Sequence, residues 1–269
     1  ALDAVTLMKV GVQFLREHME PQARVHYAVT ETGGCSPNVV QSRASVLYMV
    51  RSPQVKKAVE LQKRVDDIAA GAALMTGTTC ERKFIDGLAE TIPNHALEAL
   101  LHRCFAEVGV PQHTPQEQAF AAALAATYDA GGSVPGSGSG DPAYAAEVKA
   151  LLPGTAMNDV LLPLYTGEAF CPGSTDVGDV SWQCPTAQLH VAAWSNGCPG
   201  HSWQNVSFGK TSIGHRAAVT AGKVLCSAAI DLLEQPALLA AAKAEFANRT
   251  AEGYTCPIPP EAVPTVPEY

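Results

Sequence analysis

Three adjacent segments decide the fold of the first part of the chain: RVHYAVT at residues 24–30, GGCSPN at residues 33–38 and ASVLYMVR at residues 44–51. Apolar and polar side chains alternate in the two outer segments, which is typical of strands with one buried face. The glycines, proline and asparagine of the middle segment favour a turn-rich loop. The pattern therefore predicts two strands with a flexible loop between them.

Helices are predicted on both sides of this strand pair. Residues 4–18 carry apolar side chains at helical spacing. Ser52 is predicted to cap a second helix, which has Pro53 in its first turn and runs to about residue 75. Residues 78–86 are predicted to form a last strand. This order predicts a plait-like (ferredoxin-like) α/β unit whose opening strand is missing, so we expect that the chain begins after the first element of the unit.

The second part of the chain, from about residue 92, is predicted to be mainly helical. Pro93 and Asn94 begin a helix that runs to about residue 109, and the capping box of Thr114 and Glu117 begins another that runs to Tyr128. Further elements are predicted as a helix at 143–151, a strand at 187–194, a helix at 213–234 capped by Ser212 with Val219, Val224, Leu225 and Leu232 in tight packing, and an extended, proline-rich tail from residue 256. Residues 130–142 predict an exposed insertion or, alternatively, an active-site lid.

Composition excludes several classes of protein. The 269 residues are 47% hydrophobic and 16% charged, which is typical of a soluble globular protein with sizeable cores. The formal charge of -8 has no acidic blocks or basic runs, so nucleic acid and anionic membrane are not expected as partners. No apolar run of spanning length is present, and the eight cysteines form no Cys-x-x-Cys pair. We therefore expect a cytoplasmic, reducing location.

Two loop segments contain the groups that indicate chemistry. STDVGDVSW at residues 174–182 holds two carboxylates, and CPGHSWQ at residues 198–204 holds one histidine, with the apolar segment 187–194 between them. Carboxylates and histidine in loops broken by glycine and proline are typical of metal sites. A catalytic zinc or manganese centre needs about three protein ligands, so these segments indicate part of a site.

Motifs along the whole chain resemble the co-catalytic metal aminoacylase and carboxypeptidase family, and within it the amidohydrolases of the aminobenzoyl-glutamate hydrolase type. The matching segments are ALDAVTLM at 1–8, RVHYA at 24–28, residues 33–51, AALMT at 72–76, residues 174–182, HSWQ at 201–204, GKTSI at 209–213, His215 and CPIP at 256–259. In this family a plait-like lid domain, which also dimerises, interrupts an α/β zinc-peptidase-like catalytic domain. The resemblance implies that residues 1–90 are the lid domain without its first strand. Residues 91–269 would be the C-terminal half of the catalytic domain.

The same resemblance implies site residues and their roles. His201 is expected to be a ligand of one metal ion. Asp176 and Asp179 are expected either to support the metal ligands from a second layer or to cap the helix that begins near Val177. His215, in the first turn of the long helix, is expected to be a neutral ring that makes a hydrogen bond or touches substrate.

Substrate recognition is expected in the lid domain. Asn38 and Arg51 have the spacing with which carboxypeptidase-like relatives bring an amide and a guanidinium to the terminal carboxylate of the substrate. A guanidinium binds a carboxylate through two parallel hydrogen bonds, which lysine cannot do. Gly33 and Gly34 would let the backbone turn close to the ligand. A surface ion pair is the alternative role of Arg51.

The complete enzyme implied by the resemblance uses two divalent metal ions, Zn or Mn, to hydrolyse the amide bond of an N-acyl or N-aroyl amino acid such as p-aminobenzoyl-glutamate. The family's other metal ligands and its glutamate general base lie in N-terminal motifs that this sequence lacks. We therefore expect the isolated chain to be inactive. Its partner would be the missing N-terminal half or a companion chain, in a homodimer or heterodimer.

Two alternatives to a part of an amidohydrolase remain open from the sequence. The first is a non-catalytic binding or dimerisation module. The second is a thiol hydrolase built on Cys198 and His201, although three residues of one loop seldom give the geometry of a nucleophile and its base.

Overall fold

The computed structural model describes residues 1–129, 141–152, 154–167 and 170–262. Within the predicted insertion 130–142, residues 130–140 lie outside the described residues, and so does the end of the tail, 263–269. The chain divides into two compact units. Unit 1 comprises Ala1–Thr91, Ser174–Asp179 and Thr255–Tyr269, and unit 2 comprises Ile92–Gly173 and Val180–Tyr254.

Unit 1 contains helices and one small sheet, a mixed α/β arrangement. Its elements are α1 (Leu2–Leu15), a short 3₁₀ turn (Arg16–His18), β1 (Arg24–Glu31), β2 (Ser45–Arg51) and α2 (Val55–Thr76). The first four predicted elements are thereby confirmed in type and order. The loop between the strands closes because Gly33, at φ 79°, packs against the carbonyl of Arg43, where a side chain would collide.

The antiparallel register of β1 and β2 places the two faces of the sheet in different environments. Val25 pairs with Val50 and Tyr27 with Tyr48 on the face that the helices cover. Val25 is completely buried. It belongs to a core cluster whose other buried members are Val12, Leu15, Ala23, Leu61 and Val65. Burial of these side chains joins α1 and α2 to one face of the sheet.

Three predictions for unit 1 were wrong. Residues 78–86 form no strand, because the only hydrogen-bonded strands within the described residues are β1 and β2 and no ladder partner is present. Ser52 does not cap α2. The helix begins at Val55, whose backbone N–H donates to a carboxylate oxygen of Glu90 at 2.9 Å. Val59 is 43% exposed because it lies on the side of α2 opposite Leu61.

Unit 2 is helical in its regular elements, which follow in the order α3 (His95–Val108), α4 (Pro115–Ala125), α5 (Pro142–Leu151), α7 (Trp203–Phe208), α8 (Ser212–Glu234) and α9 (Pro236–Arg249), while α6 (Val177–Ser181) crosses the boundary between the units. The helices α3, α4, α5 and α8 confirm predicted helices, and α7 and α9 were not predicted. Asn94 caps α3 by accepting from Leu97 N. Thr114 and Glu117 form the predicted capping box.

The core of unit 2 forms where α3 meets α8. Leu100, Leu101, Cys104 and Phe105 of α3 pack with Val224 and Ala228 of α8. Ala187, Leu189 and Val191 pack against this cluster from one side of their segment. A second cluster contains Ala121, Met157, Phe208 and Ile213.

The predicted strand at 187–194 is wrong for the same reason as the one in unit 1. Its side chains alternate between partly buried and exposed at 187–191, as in an extended segment, but the part of the chain that the structure describes supplies no neighbouring strand. The cap predicted at Ser212 is Thr211 instead. Val219 and Leu225 of α8 are 59% and 50% exposed, because α8 buries only the face that carries Val224.

Glu117 joins α4 to α8 through a buried carboxylate. It is 8% exposed, and it accepts hydrogen bonds from Thr114 N at 2.7 Å, Ser212 Oγ at 2.6 Å and Arg216 Nη2 at 3.1 Å. The hydrogen bonds from Ser212 and Thr114 lower the pKa of Glu117 to about 2, against the desolvation that raises it, and Arg216 contributes further. Ser212 is thus used to hold the two helices together.

No single helix within the described residues is long and apolar enough to cross a membrane. One bent pair, Ser212–Glu234 with Pro236–Arg249, meets the length and composition test only when the two helices are taken together across a 99° bend.

We expect Glu117→Gln to lower the free energy of unfolding at pH 7 by roughly 1–3 kcal/mol, because charge-assisted hydrogen bonds become neutral ones. The folded pKa lies below the unfolded value, so the stabilisation is complete above about pH 4.5 and is lost as the pH falls toward 2. Urea unfolding at several pH values measures this. Glu107→Gln, at an exposed glutamate, is the matched control. An equal effect of both variants would contradict the assignment.

Candidate functional site

Arg51 ends strand β2 and lies beside the 174–179 segment of unit 1. Its Nη2 donates to Ser174 Oγ at 3.1 Å. A hydroxyl group is a weaker acceptor for a guanidinium than a carboxylate. The structure therefore brings Arg51 to one of the two segments that the sequence analysis singled out.

The glycine-rich loop before β2 holds the other predicted substrate residues. Gly33 and Gly34 have φ angles of 79° and 128°, which favour glycine. Ser36 Oγ donates to Asn38 Oδ1 at 2.7 Å, and Asn38 is exposed. The amide nitrogen of Asn38 therefore lies on an exposed loop, and its role toward a carboxylate stays a prediction.

The 174–181 segment forms a short helix where one was predicted. Val177 N donates to Thr175 Oγ1 at 3.3 Å, so Thr175 takes the capping position considered for Asp176. Asp179 Oδ2 accepts from Ala89 N at 3.2 Å, and Gly178 packs so closely on Ala89 O that a side chain would collide. Asp179 thus ties this segment to the backbone of unit 1. A supporting role of Asp176 or Asp179 toward a metal ligand stays a prediction.

His201 has an unusual backbone conformation. At φ 56° it is the one non-glycine residue with a positive φ among those that the structure describes. Such a conformation costs about 1–2 kcal/mol for residues with a Cβ. Strained residues of this kind occur preferentially at functional sites, where the surroundings hold them in place.

The residues around His201 hold its turn from both sides. Ser195 is 1% exposed and exchanges a 2.7 Å hydrogen bond with Tyr128 OH, and Asn196 N donates to Ala156 O at 2.7 Å. After the turn, Ser202 Oγ accepts from Asn205 N and caps α7. The imidazole is exposed between these two fixed points. The sequence motif indicated His201, but the strain is visible only in the structure.

His215 lies in the first turn of α8, as predicted, and is exposed. It stands on the side of the helix opposite Val224, which is buried. Both histidines belong to unit 2, whereas Gly33, Gly34, Asn38 and Arg51 belong to unit 1. The structure therefore places the substrate candidates together and the histidine candidates together.

The described residues do not form a metal centre by themselves. Nowhere in 1–129, 141–152, 154–167 and 170–262 do three or more histidine, cysteine, aspartate or glutamate side chains lie close enough to hold a metal ion. A zinc site takes three or four such ligands. His201 therefore fits the implied centre only as one ligand among others, a role that stays a prediction.

Cys198 is poorly suited to act as a nucleophile. It is 7% exposed, and burial raises the pKa of its thiol above the ordinary value. Nucleophilic cysteines need a stabilised thiolate in an accessible, electropositive setting. These observations disfavour the thiol hydrolase that the sequence left open.

We expect His201→Gly to unfold with a free energy about 1 kcal/mol higher than His201→Ala, because glycine adopts the positive φ without strain. Urea unfolding of the metal-free chain measures the difference. Ala126, at φ -70°, is the control. There glycine should be the less stable residue, since it adds only backbone entropy to the unfolded state. If alanine is also favoured at position 201, the turn is not strained.

Several known hydrolases are similar to this chain, although no family model matches it. The chain is 38% identical over 273 residues to one p-aminobenzoyl-glutamate hydrolase subunit of Escherichia coli (strain K12), which covers 98% of this chain and 56% of the relative. The Xaa-Arg dipeptidases of Mus musculus and Homo sapiens are 37% identical over 81 residues and 36% over 83 residues, about a third of this chain and 19% of each relative.

The chain thus spans little more than half the length of the Escherichia coli relative. The relatives are hydrolases by name, which confirms the resemblance to amidohydrolases predicted from the motifs. Over nearly all of its length, this chain is similar to part of p-aminobenzoyl-glutamate hydrolase.

Proposed function

We propose that the chain is one part of a metal-dependent amidohydrolase that cleaves the amide bond of N-acyl or N-aroyl amino acids, p-aminobenzoyl-glutamate among them. The similarity to the hydrolase over 98% of the chain carries the proposal. In the reaction the amide C–N bond breaks, while water supplies a hydroxyl group to the acyl carbon and a proton to the amine. The products are a carboxylic acid and an amino acid.

The proposal assigns unit 1 to a plait-like lid and unit 2 to the C-terminal half of the catalytic domain. Arg51 binds the carboxylate of the substrate, with Asn38 beside it, and His201 is one ligand of the two divalent metal ions, Zn or Mn. The remaining ligands and the general base come from the part of the enzyme that corresponds to the unmatched length of the relative.

Two features of unit 2 support a polypeptide partner. The segment 187–194 is extended and alternates in burial, yet it has no neighbouring strand among the described residues. The outer side of α8 exposes Val219 (59%), Ile230 (53%) and Leu233 (83%). Exposed apolar side chains in a row are typical of an interface. A strand and an apolar surface supplied by the partner would satisfy both.

We expect the isolated chain to hydrolyse p-aminobenzoyl-glutamate negligibly and to become active when the unmatched part of the Escherichia coli relative is co-expressed as a second polypeptide. Release of p-aminobenzoate, with and without a chelator, measures activity. His201→Ala should lower both metal content and turnover of the complex, because a ligand is lost. His18→Ala, at an exposed histidine of unit 1, is the control. Substantial turnover by the isolated chain would refute the proposal.

In the same complex, Arg51→Lys should weaken transition-state binding of carboxylate substrates by roughly 2–4 kcal/mol, because lysine cannot replace the two-pronged guanidinium contact. Values of kcat/KM for a free-acid substrate and its α-amide measure this. The variant should affect the amide far less. Equal losses on the two substrates would show that Arg51 has a structural role.

A further inference from the structure

The sheet of unit 1 has an exposed side, here called the outer face. The register pairs its residues across the strands as Arg24 with Arg51, His26 with Met49 and Ala28 with Leu47. Val25 and Val50, one position along, point toward the helices and their core. Because successive side chains of a strand alternate between faces, the six paired residues share the opposite side.

One end of the outer face carries two guanidinium groups. Arg24 and Arg51 are direct cross-strand partners, so their Cβ atoms are about 5 Å apart. Arg24 Nη1 donates to the carbonyls of Pro21 and Ala23, and Arg51 Nη2 donates to Ser174 Oγ. Like charges in directly opposite positions destabilise a sheet. The pair therefore matches a ligand with two negative charges.

The neighbouring part of the same face is apolar. Met49 is 56% exposed and Leu47 is 48% exposed. Residues two positions apart on a strand are about 7 Å apart. An aromatic ring that lies over Met49 therefore reaches the guanidinium end with a linker of a few bonds. A thioether is a favourable neighbour for such a ring.

We infer that the outer face binds an N-aroyl amino acid with two carboxylates, of the glutamate or aspartate type. Arg51 takes the α-carboxylate, Arg24 takes the side-chain carboxylate, and the aroyl ring lies on Met49 and Leu47. This inference rests on the proposed function for the α-carboxylate and adds Arg24 and Met49 as residues that determine specificity. Charge complementarity at one end and an exposed apolar strip at the other select this ligand.

The test is isothermal titration calorimetry on the full 269-residue chain with N-benzoyl-L-glutamate, N-benzoyl-L-glutamine and N-acetyl-L-glutamate. We expect N-benzoyl-L-glutamate to bind about tenfold more tightly than either analogue, since each lacks one of the two contacts. Arg24→Gln should abolish the preference for glutamate over glutamine and keep the preference for benzoyl over acetyl. Met49→Ser should do the reverse.

Arg43→Gln removes the same charge from an exposed arginine outside the outer face and should change neither ratio. Circular dichroism verifies that each variant is folded. If Arg24→Gln does not fold, Arg24→Lys, which keeps the charge but not the fork, should reduce the glutamate preference.

Equal binding of the three ligands to the wild-type chain, or no binding at millimolar concentration, would overturn the inference without any variant. A dimer that Met49→Ser dissociates, found together with absent ligand binding, would assign the outer face to a second copy instead. These outcomes are independent of the hydrolysis assay. The proposed function can therefore fail while the binding site stands, and the reverse also holds.

Discussion

The antiparallel pairing of β1 with β2 is the constraint on which unit 1 depends. Val25 opposite Val50 supplies the buried side of the sheet, to which α1 and α2 are joined by burial of apolar surface. A shift of one residue would move Val25 to solvent and Arg24 into the core, which a buried guanidinium without a partner forbids. The same register therefore determines both the stability of unit 1 and the set of side chains on its exposed face.

Unit 2 depends in a comparable way on one buried charge. Glu117 satisfies the first turn of α4 and also holds Ser212 and Arg216 of α8. Burying a carboxylate is favourable only when several donors compensate for the lost water, and here three residues do so. The fixed end of α8 and the hydrogen-bonded residues Ser195 and Asn196 lie in the unit that contains the strained His201. This rigidity is what a residue in a costly conformation requires.

The two units thus differ in what they bring to the proposed reaction. Unit 1 supplies cationic and apolar side chains that fit a carboxylate ligand, and unit 2 supplies an imidazole held in a strained turn. Neither unit contains a cluster of metal ligands within the described residues. The exposed side of α8 and the unpaired segment 187–194 fit a protein that completes its structure with another polypeptide, in agreement with a relative described as one subunit of a hydrolase.

Local sequence signals sufficed where the cause of a structure is local. The alternation in β1 and β2, the capping box at Thr114 and the periodicity of α8 each predict the observed element, because neighbouring residues satisfy its hydrogen bonds or face its core. The resemblance carried by the motifs around His201 and Arg51 was also readable without coordinates. Comparison with known proteins supports that resemblance over nearly the whole chain.

Tertiary structure alone decided the features that need a distant partner. Residues 78–86 and 187–194 have strand-like sequences, but a strand exists only where another strand accepts its hydrogen bonds. The hydroxyl of Ser212 bonds to Glu117, 95 positions away, instead of capping its own helix. The cross-strand meeting of Arg24 with Arg51 follows from the register of the sheet. The sequence determined which elements form and which groups can do chemistry, whereas folding decided which of those groups meet, because such contacts depend on the packing of the whole unit.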